Sequence, residues 1–163
     1  MRIKDGYGVY ARVLLLSCIL LVAIMSDPVA GIEAVVRPAG FVEDIEYGRA
    51  GGQRLLLDAF VPNGNDLRPV VILIHGGGWS SGTKKDMEFL FGPLSEANFA
   101  WFSISYRLAP EHRWPACMDD VRTAIRWVKA NGSAYKADFK RIALVGYSAV
   151  GHLACLAAVL ADE

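Results

Sequence analysis

The chain has 163 residues, 53% of them hydrophobic, and its 17 Lys/Arg balance 17 Asp/Glu for a formal net charge of zero. That length fits one domain, and opposite charges interspersed along it exclude the clustered basic footprint of a nucleic-acid binder. A polyanionic or polycationic partner is equally unsupported.

In chain order, the first feature reads as an export signal. Arg2, Lys4 and Arg12 form a basic region, residues 13–25 are apolar, and Ser26-Asp27-Pro28-Val29-Ala30 supplies polar and small residues with Ala30 as cleavage site. The apolar core of about 13 residues falls short of the roughly 20 that a membrane span needs. The expected location is secreted or periplasmic, with membrane association only if the segment stays uncleaved. Cys18 lies inside the apolar run rather than after it, which argues against a lipid-acylation site. Residues 1–30 are thus expected to be a signal peptide, 31–40 a linker and 41–163 the folded domain. Cys117 and Cys155 would then remain, expected as two unpaired or buried small side chains on helices.

Residues 41–47 alternate weakly and residues 54–61 form a second strand; Gly51-Gly52 between them predicts an antiparallel pair. Residues 69–74 (Pro-Val-Val-Ile-Leu-Ile) run apolar without alternation, as for a strand covered on both faces. A glycine-rich loop follows over residues 75–82. Residues 84–98 predict a helix with Met87, Leu90, Phe91 and Leu94 on one face and Pro93 ending or kinking it. Residues 100–105 predict a strand. A helix over residues 115–131 has Pro115 in its first turn, Asn131-Gly132 as C-terminal cap, and a core stripe of Val121, Ile125 and Val128 beside Trp127. Residues 141–145 read as another doubly buried strand, and residues 149–160 as an apolar helix. Strands alternating with helices imply an α/β fold, a mostly parallel sheet with helices on both faces.

Three local patterns carry chemistry. Gly146-Tyr147-Ser148-Ala149 lies between a buried strand and an apolar helix. A serine on such a sharp turn presents its hydroxyl at the sheet edge, beside the next N–H and the positive end of the helix. An ordinary N-cap serine would fit the same tetrapeptide. His75-Gly76-Gly77-Gly78-Trp79 follows directly on a buried strand, and its consecutive glycines let backbone N–H groups approach a substrate oxygen. Such donors stabilise an oxyanion. A phosphate loop would show a Lys-Ser/Thr ending, and none is present. The third pattern is Ser105-Tyr106-Arg107-Leu108-Ala109-Pro110-Glu111, followed by Trp114-Pro115-Ala116 and Asp120.

Together these motifs resemble the esterase and lipase family related to hormone-sensitive lipase, within the α/β-hydrolases, and are similar to bacterial secreted esterases acting on acylated sugars or xylan. The resemblance covers residues 66–160. It implies the N-terminal part of an α/β-hydrolase fold, strands one to five plus the nucleophile-elbow helix. It implies Ser148 as nucleophile and the N–H groups of Gly77, Gly78 and Ala149 as oxyanion hole. It assigns structural roles to the Tyr106–Pro110 turn, Asp120, His75 and His152, and leaves His112 in an exposed loop. The implied activity is hydrolysis of small acyl esters through an acyl-serine intermediate, with acylated carbohydrate as one substrate class and no metal or organic cofactor. An amidase or peptidase of the same fold shares these motifs, and a non-catalytic binding protein on the scaffold is the other class.

Two departures temper that reading. The family pattern around the nucleophile is Gly-X-Ser-Ala-Gly-Gly, and Val150 replaces the first of the last two glycines. A β-branched residue there is expected to push the helix outward or strain the turn by about 1–3 kcal/mol. Triads of this fold run Ser, then Asp or Glu, then His, and no histidine follows His152. The strand over residues 141–145 would also have a partner on one side only. The expectation is therefore a C-terminally truncated chain, inactive for want of triad acid and base.

Overall fold

The computed structural model describes residues 21–25 and 39–159. Strands β1 (Leu21–Met25), β2 (Gly40–Ala50), β3 (Gln53–Val61), β4 (Arg68–Ile74), β5 (Ala100–Ile104) and β6 (Ala137–Gly146) form one sheet, with helices α1 (Glu88–Glu96), α2 (Ala116–Asn131) and α3 (Ala149–Val159). Spatial order is β1-β6-β4-β5-β3-β2. The five strands read from the sequence are all present, and β2 and β3 form the expected antiparallel pair.

The sheet is mixed rather than mostly parallel. Only β4–β5 and β4–β6 are parallel, because β3 joins β5 antiparallel and carries the β2 hairpin outward. The sixth strand, β1, comes from the apolar run read as an export signal, and it pairs antiparallel with β6 from Leu21↔Gly146 to Met25↔Ile142. β6 therefore has neighbours on both edges, contrary to the expected single partner. An apolar segment carries the same backbone donors and acceptors as any strand and can complete such an edge. The rest of the signal reading, including Cys18 and Ala30, and linker residues 31–38 lie outside the described residues.

Alternation along β4 explains its unbroken apolar run. Val70, Ile72 and Ile74 join the core shared with α2 and α3, including Val121, Val128 and Leu153. Val71 and Leu73 face the other way, with Met87, Trp101 and Val145, under Leu90, Phe91 and Leu94. Both faces are covered, as the pattern required.

Boundaries differ locally for identifiable reasons. The segment 84–98 opens as a 3-10 turn, Lys84–Met87, capped reciprocally by Thr83 and Asp86, before α1 begins; Pro93 lies within α1. Gly132 is right-handed, not a left-handed cap; the chain runs through a 3-10 turn, Gly132–Tyr135, and turns left-handed at Lys136. What Gly132 provides is space, since a Cβ there would lie 3.1 Å from Ala137 Cβ. Both cysteines are unpaired, as expected; Cys117 is buried and Cys155 exposed.

Candidate active site

β4 and β6 are parallel neighbours in register, with Ile74 opposite Gly146 at their C-terminal ends. The two chemistry-bearing loops therefore leave the same sheet edge side by side, where ligands bind in open α/β sheets. Their contact is close. A Cβ on Gly76 would lie 3.0 Å from Tyr147 Cε2 and 3.2 Å from Tyr147 O, so glycine lets the loop lie against the elbow.

Ser148 stands at that elbow with φ 58°, a left-handed conformation in a non-glycine residue. Such a conformation costs about 1–3 kcal/mol and persists where surrounding structure imposes it. Here β6 enters the turn, Val150 N–H donates to Tyr147 O (3.3 Å) and Gly151 N–H to Ser148 O (3.1 Å), and α3 leaves it. Ser148 is exposed. The Ala149 N–H is the first donor of α3, one of the groups a helix leaves unpaired at its start.

Val150 does not splay the elbow as expected. Its side chain is fully buried in the core beside α2. The room comes from Gly146, where a Cβ would approach Val150 O to 2.9 Å and Val150 Cγ1 to 3.3 Å. The close approach of helix to strand is kept by the glycine at the end of the strand rather than by one in the helix.

The glycine loop is folded by its own backbone. Gly77 (φ 115°) and Gly78 (φ 60°) are left-handed and exposed, and Trp79 follows at φ 61°. Gly77 O accepts from Ser80 N–H and Ser81 N–H, both at 3.1 Å, and from Ser81 Oγ at 3.0 Å. That turn directs the carbonyl inward, and among the described residues neither the Gly77 nor the Gly78 N–H has an acceptor. Ala109 N–H donates to Trp79 O at 2.8 Å, tying the loop to the Tyr106–Pro110 turn.

His75 is buried and stacks on Tyr106, ring centroids 4.3 Å apart. The Tyr106 hydroxyl donates to His75 O at 2.9 Å, and His75 Nδ1 lies 2.7 Å from Gly76 O. Burial holds its pKa below the ordinary value, with Gly76 O and Asp86 opposing. A neutral imidazole locked this way braces the loop, as the resemblance implied. The Arg107–Asp120 pair is likewise structural. Asp120, buried on α2, accepts from Arg107 N (2.8 Å), Nε (2.9 Å) and the terminal guanidinium nitrogen (2.7 Å).

Two features escaped the sequence reading. A groove of about 360 Å³ beside the glycine loop is lined by Gly78, Trp79, His112, Trp114, Cys117 and His152 among others. His152 is exposed and borders this groove, and His112 is half-buried rather than free in solvent. Their separation in sequence hid the arrangement, since the groove draws its lining from residues 78–79, 109–117 and 152. The second is a buried ion pair, Lys84 Nζ–Asp58 Oδ1 at 2.5 Å, just past the glycine loop. Among the described residues no histidine hydrogen-bonds Ser148, and no cluster of three His, Cys, Asp or Glu side chains could hold a metal.

A profile of the family described as BD-FAE matches residues 57–163, which span the glycine loop, the Tyr106–Pro110 turn and the elbow. The chain belongs to the BD-FAE family. It is 40% identical over 96 residues to "Esterase LipC" of Mycobacterium tuberculosis, covering 58% of this chain and 24% of that protein. Among solved structures it resembles a hyperthermophilic esterase from Pyrobaculum calidifontis, at 27% identity and TM-score 0.65, over 80% of this chain and 41% of that one. It also resembles Thermogutta terrifontis esterase 2 phosphonylated by cyclosarin, at 26% identity and TM-score 0.64, over 69% of this chain and 44% of that one. The fold is that of an α/β-hydrolase esterase, and the chain spans less than half the length of each of these relatives.

Proposed function

We propose that this chain carries the nucleophile and oxyanion hole of a serine carboxylic-ester hydrolase. The observation that carries this is the left-handed, exposed Ser148 beside a loop whose Gly77 and Gly78 N–H groups have no acceptor among the described residues. An ester carbonyl at the sheet edge would be attacked by Ser148 Oγ. Its oxygen would gain charge toward the N–H groups of Gly77, Gly78 and Ala149, and the alcohol would leave from an acyl-serine. The related esterases, one of them carrying a covalent organophosphonate, support this reading.

Among the described residues no side chain is hydrogen-bonded to Ser148 as a general base. His75 is buried away behind the loop, and His112 and His152 border the groove without a bond to Ser148. Without a base the hydroxyl stays protonated, so turnover by the 163-residue chain is slow, resting on oxyanion donors and substrate binding. Small acyl esters are the proposed substrates. The exposed indoles of Trp79 and Trp114 along the groove suit either an acyl chain or the apolar face of an acylated sugar. Export to a secreted or periplasmic location is part of the same proposal, and cleavage at Ala30 would remove β1 and leave β6 as an edge strand.

The test is hydrolysis of p-nitrophenyl acetate by the purified chain and by Ser148→Ala. Slow saturable release lost in the variant supports the assignment; equal release from both removes Ser148 as nucleophile and leaves a non-catalytic scaffold.

A further inference from the structure

The glycine loop is fixed at its start by β4 and at its end by Lys84, and the manner of that second anchoring is unusual. All of the polar groups of Lys84 are engaged. Its N–H donates to Ser105 Oγ at 3.1 Å, and its carbonyl accepts from Ser103 Oγ at 2.6 Å. Its ammonium lies 2.5 Å from Asp58 Oδ1 and 2.9 Å from Asp44 Oδ1. Asp58 is fully buried on β3, and its Oδ1 also accepts from Asp44 N–H at 2.9 Å, at the left-handed bulge residue of β2. Burial pulls the Lys84 pKa down, and the two carboxylates more than offset it, leaving it above the ordinary value.

A buried ion pair is a poor source of stability, because desolvation offsets most of the attraction and apolar residues of similar size serve as well. This one also leaves Asp58 Oδ2 buried without a partner. What such a pair supplies instead is a single geometry. An apolar contact tolerates sliding, whereas a 2.5 Å charge-assisted bond sets where Lys84 stands over β3 and β5. From Lys84 the chain runs back through Thr83 and Gly82 to Ser81, whose N–H and hydroxyl hold Gly77 O. Register at Lys84 is thus passed to the turn that aims the Gly77 and Gly78 N–H groups.

We infer that Asp58 and Lys84 are a positioning pair, which sets where the oxyanion donors of the glycine loop lie. This rests on the reading of Gly77 and Gly78 as those donors. Neither residue touches a reacting atom.

The decisive comparison is the full chain against the isosteric double variant Asp58→Leu/Lys84→Met, with Lys84→Arg as the conservative control. The double variant removes both buried charges together and leaves only the part-buried Asp44 N–H without its acceptor, so it is expected to fold, with a urea midpoint near the parent's. Amide ¹H–¹⁵N resonances then read the loop without requiring turnover. Those of Gly77, Gly78 and Ser81 are expected to move or broaden, while those of the β4 core stay in place. In p-nitrophenyl acetate hydrolysis, kcat is expected to fall on the order of 10²-fold, the effect of misplacing a catalytic group by about 1 Å, with KM little changed. Lys84→Arg is expected to restore most of both. A folded double variant whose Gly77 and Gly78 resonances coincide with the parent's overturns the inference. Moved resonances in a chain whose turnover ignores Ser148→Ala keep the positioning role and sink the hydrolase reading instead.

Discussion

Adding one methyl group to Gly77 and one to Gly92 should change stability in opposite directions. At Gly77 the backbone is at φ 115°, and a Cβ would lie 2.7 Å from Ser81 C and 2.9 Å from Ser81 Oγ, in addition to overlapping Ser81 O. Carbon pairs attract best at about 3.5–4.0 Å, so Ser81 must move. The conformation costs about 1–3 kcal/mol, and the overlap costs about 1–3 kcal/mol more if nothing yields. The loop is exposed and yields in part, so the net loss for Gly77→Ala should be about 2 kcal/mol. Gly92 sits exposed within α1, and a Cβ there meets nothing within 4 Å. Gly92→Ala should therefore add about 0.5–1 kcal/mol through helix propensity. Urea unfolding of both variants at fixed pH measures the two signs. A Gly77→Ala chain as stable as the parent would show that the loop does not hold the backbone described.

Ser148→Gly should stabilise the chain by about 1 kcal/mol, since glycine adopts the left-handed elbow freely; Ser148→Ala removes the hydroxyl and keeps the strain, so the two should differ in thermal midpoint. Asp120→Ala should cost about 3–5 kcal/mol by stranding the half-buried Arg107 guanidinium, read as a large drop in urea midpoint. His75 supplies a pH test. Burial lowers its folded pKa below 6.5, so the unfolded chain binds a proton first, and its contribution is fully present above pH 6.5 and lost as pH falls below it. The slope reaches at most about 1.4 kcal/mol per pH unit, and His75→Asn should flatten that part of the profile; an unchanged profile would mean the imidazole is not held neutral.

The residues of the candidate site were legible because their backbone geometry is local. A serine between a buried strand and an apolar helix, and three glycines after another buried strand, fix backbone geometry within a few positions, and Ser148, Gly77 and Gly78 all have positive φ just past the C-terminal ends of β6 and β4. Val150 misled for a related reason. Its cost depended on what lay opposite, and the facing residue is Gly146, four positions earlier. The pairing of β1 with β6, more than a hundred residues apart in sequence, leaves no local trace beyond an apolar run with a second reading as a signal. Likewise nothing in Asp58 or Lys84 alone marks a buried pair, since each type is normally solvated. The groove around His112 and His152 draws on three segments far apart in the chain, which spacing does not specify.

The proposed chemistry requires Ser148 to be a presented nucleophile. The most direct measurement is prolonged incubation of the 163-residue chain with a reactive fluorophosphonate, followed by proteolysis and mass mapping of the adduct. A slowly formed adduct confined to Ser148 and absent from Ser148→Ala is expected. An adduct on another side chain, or equal labelling of parent and variant, would contradict it.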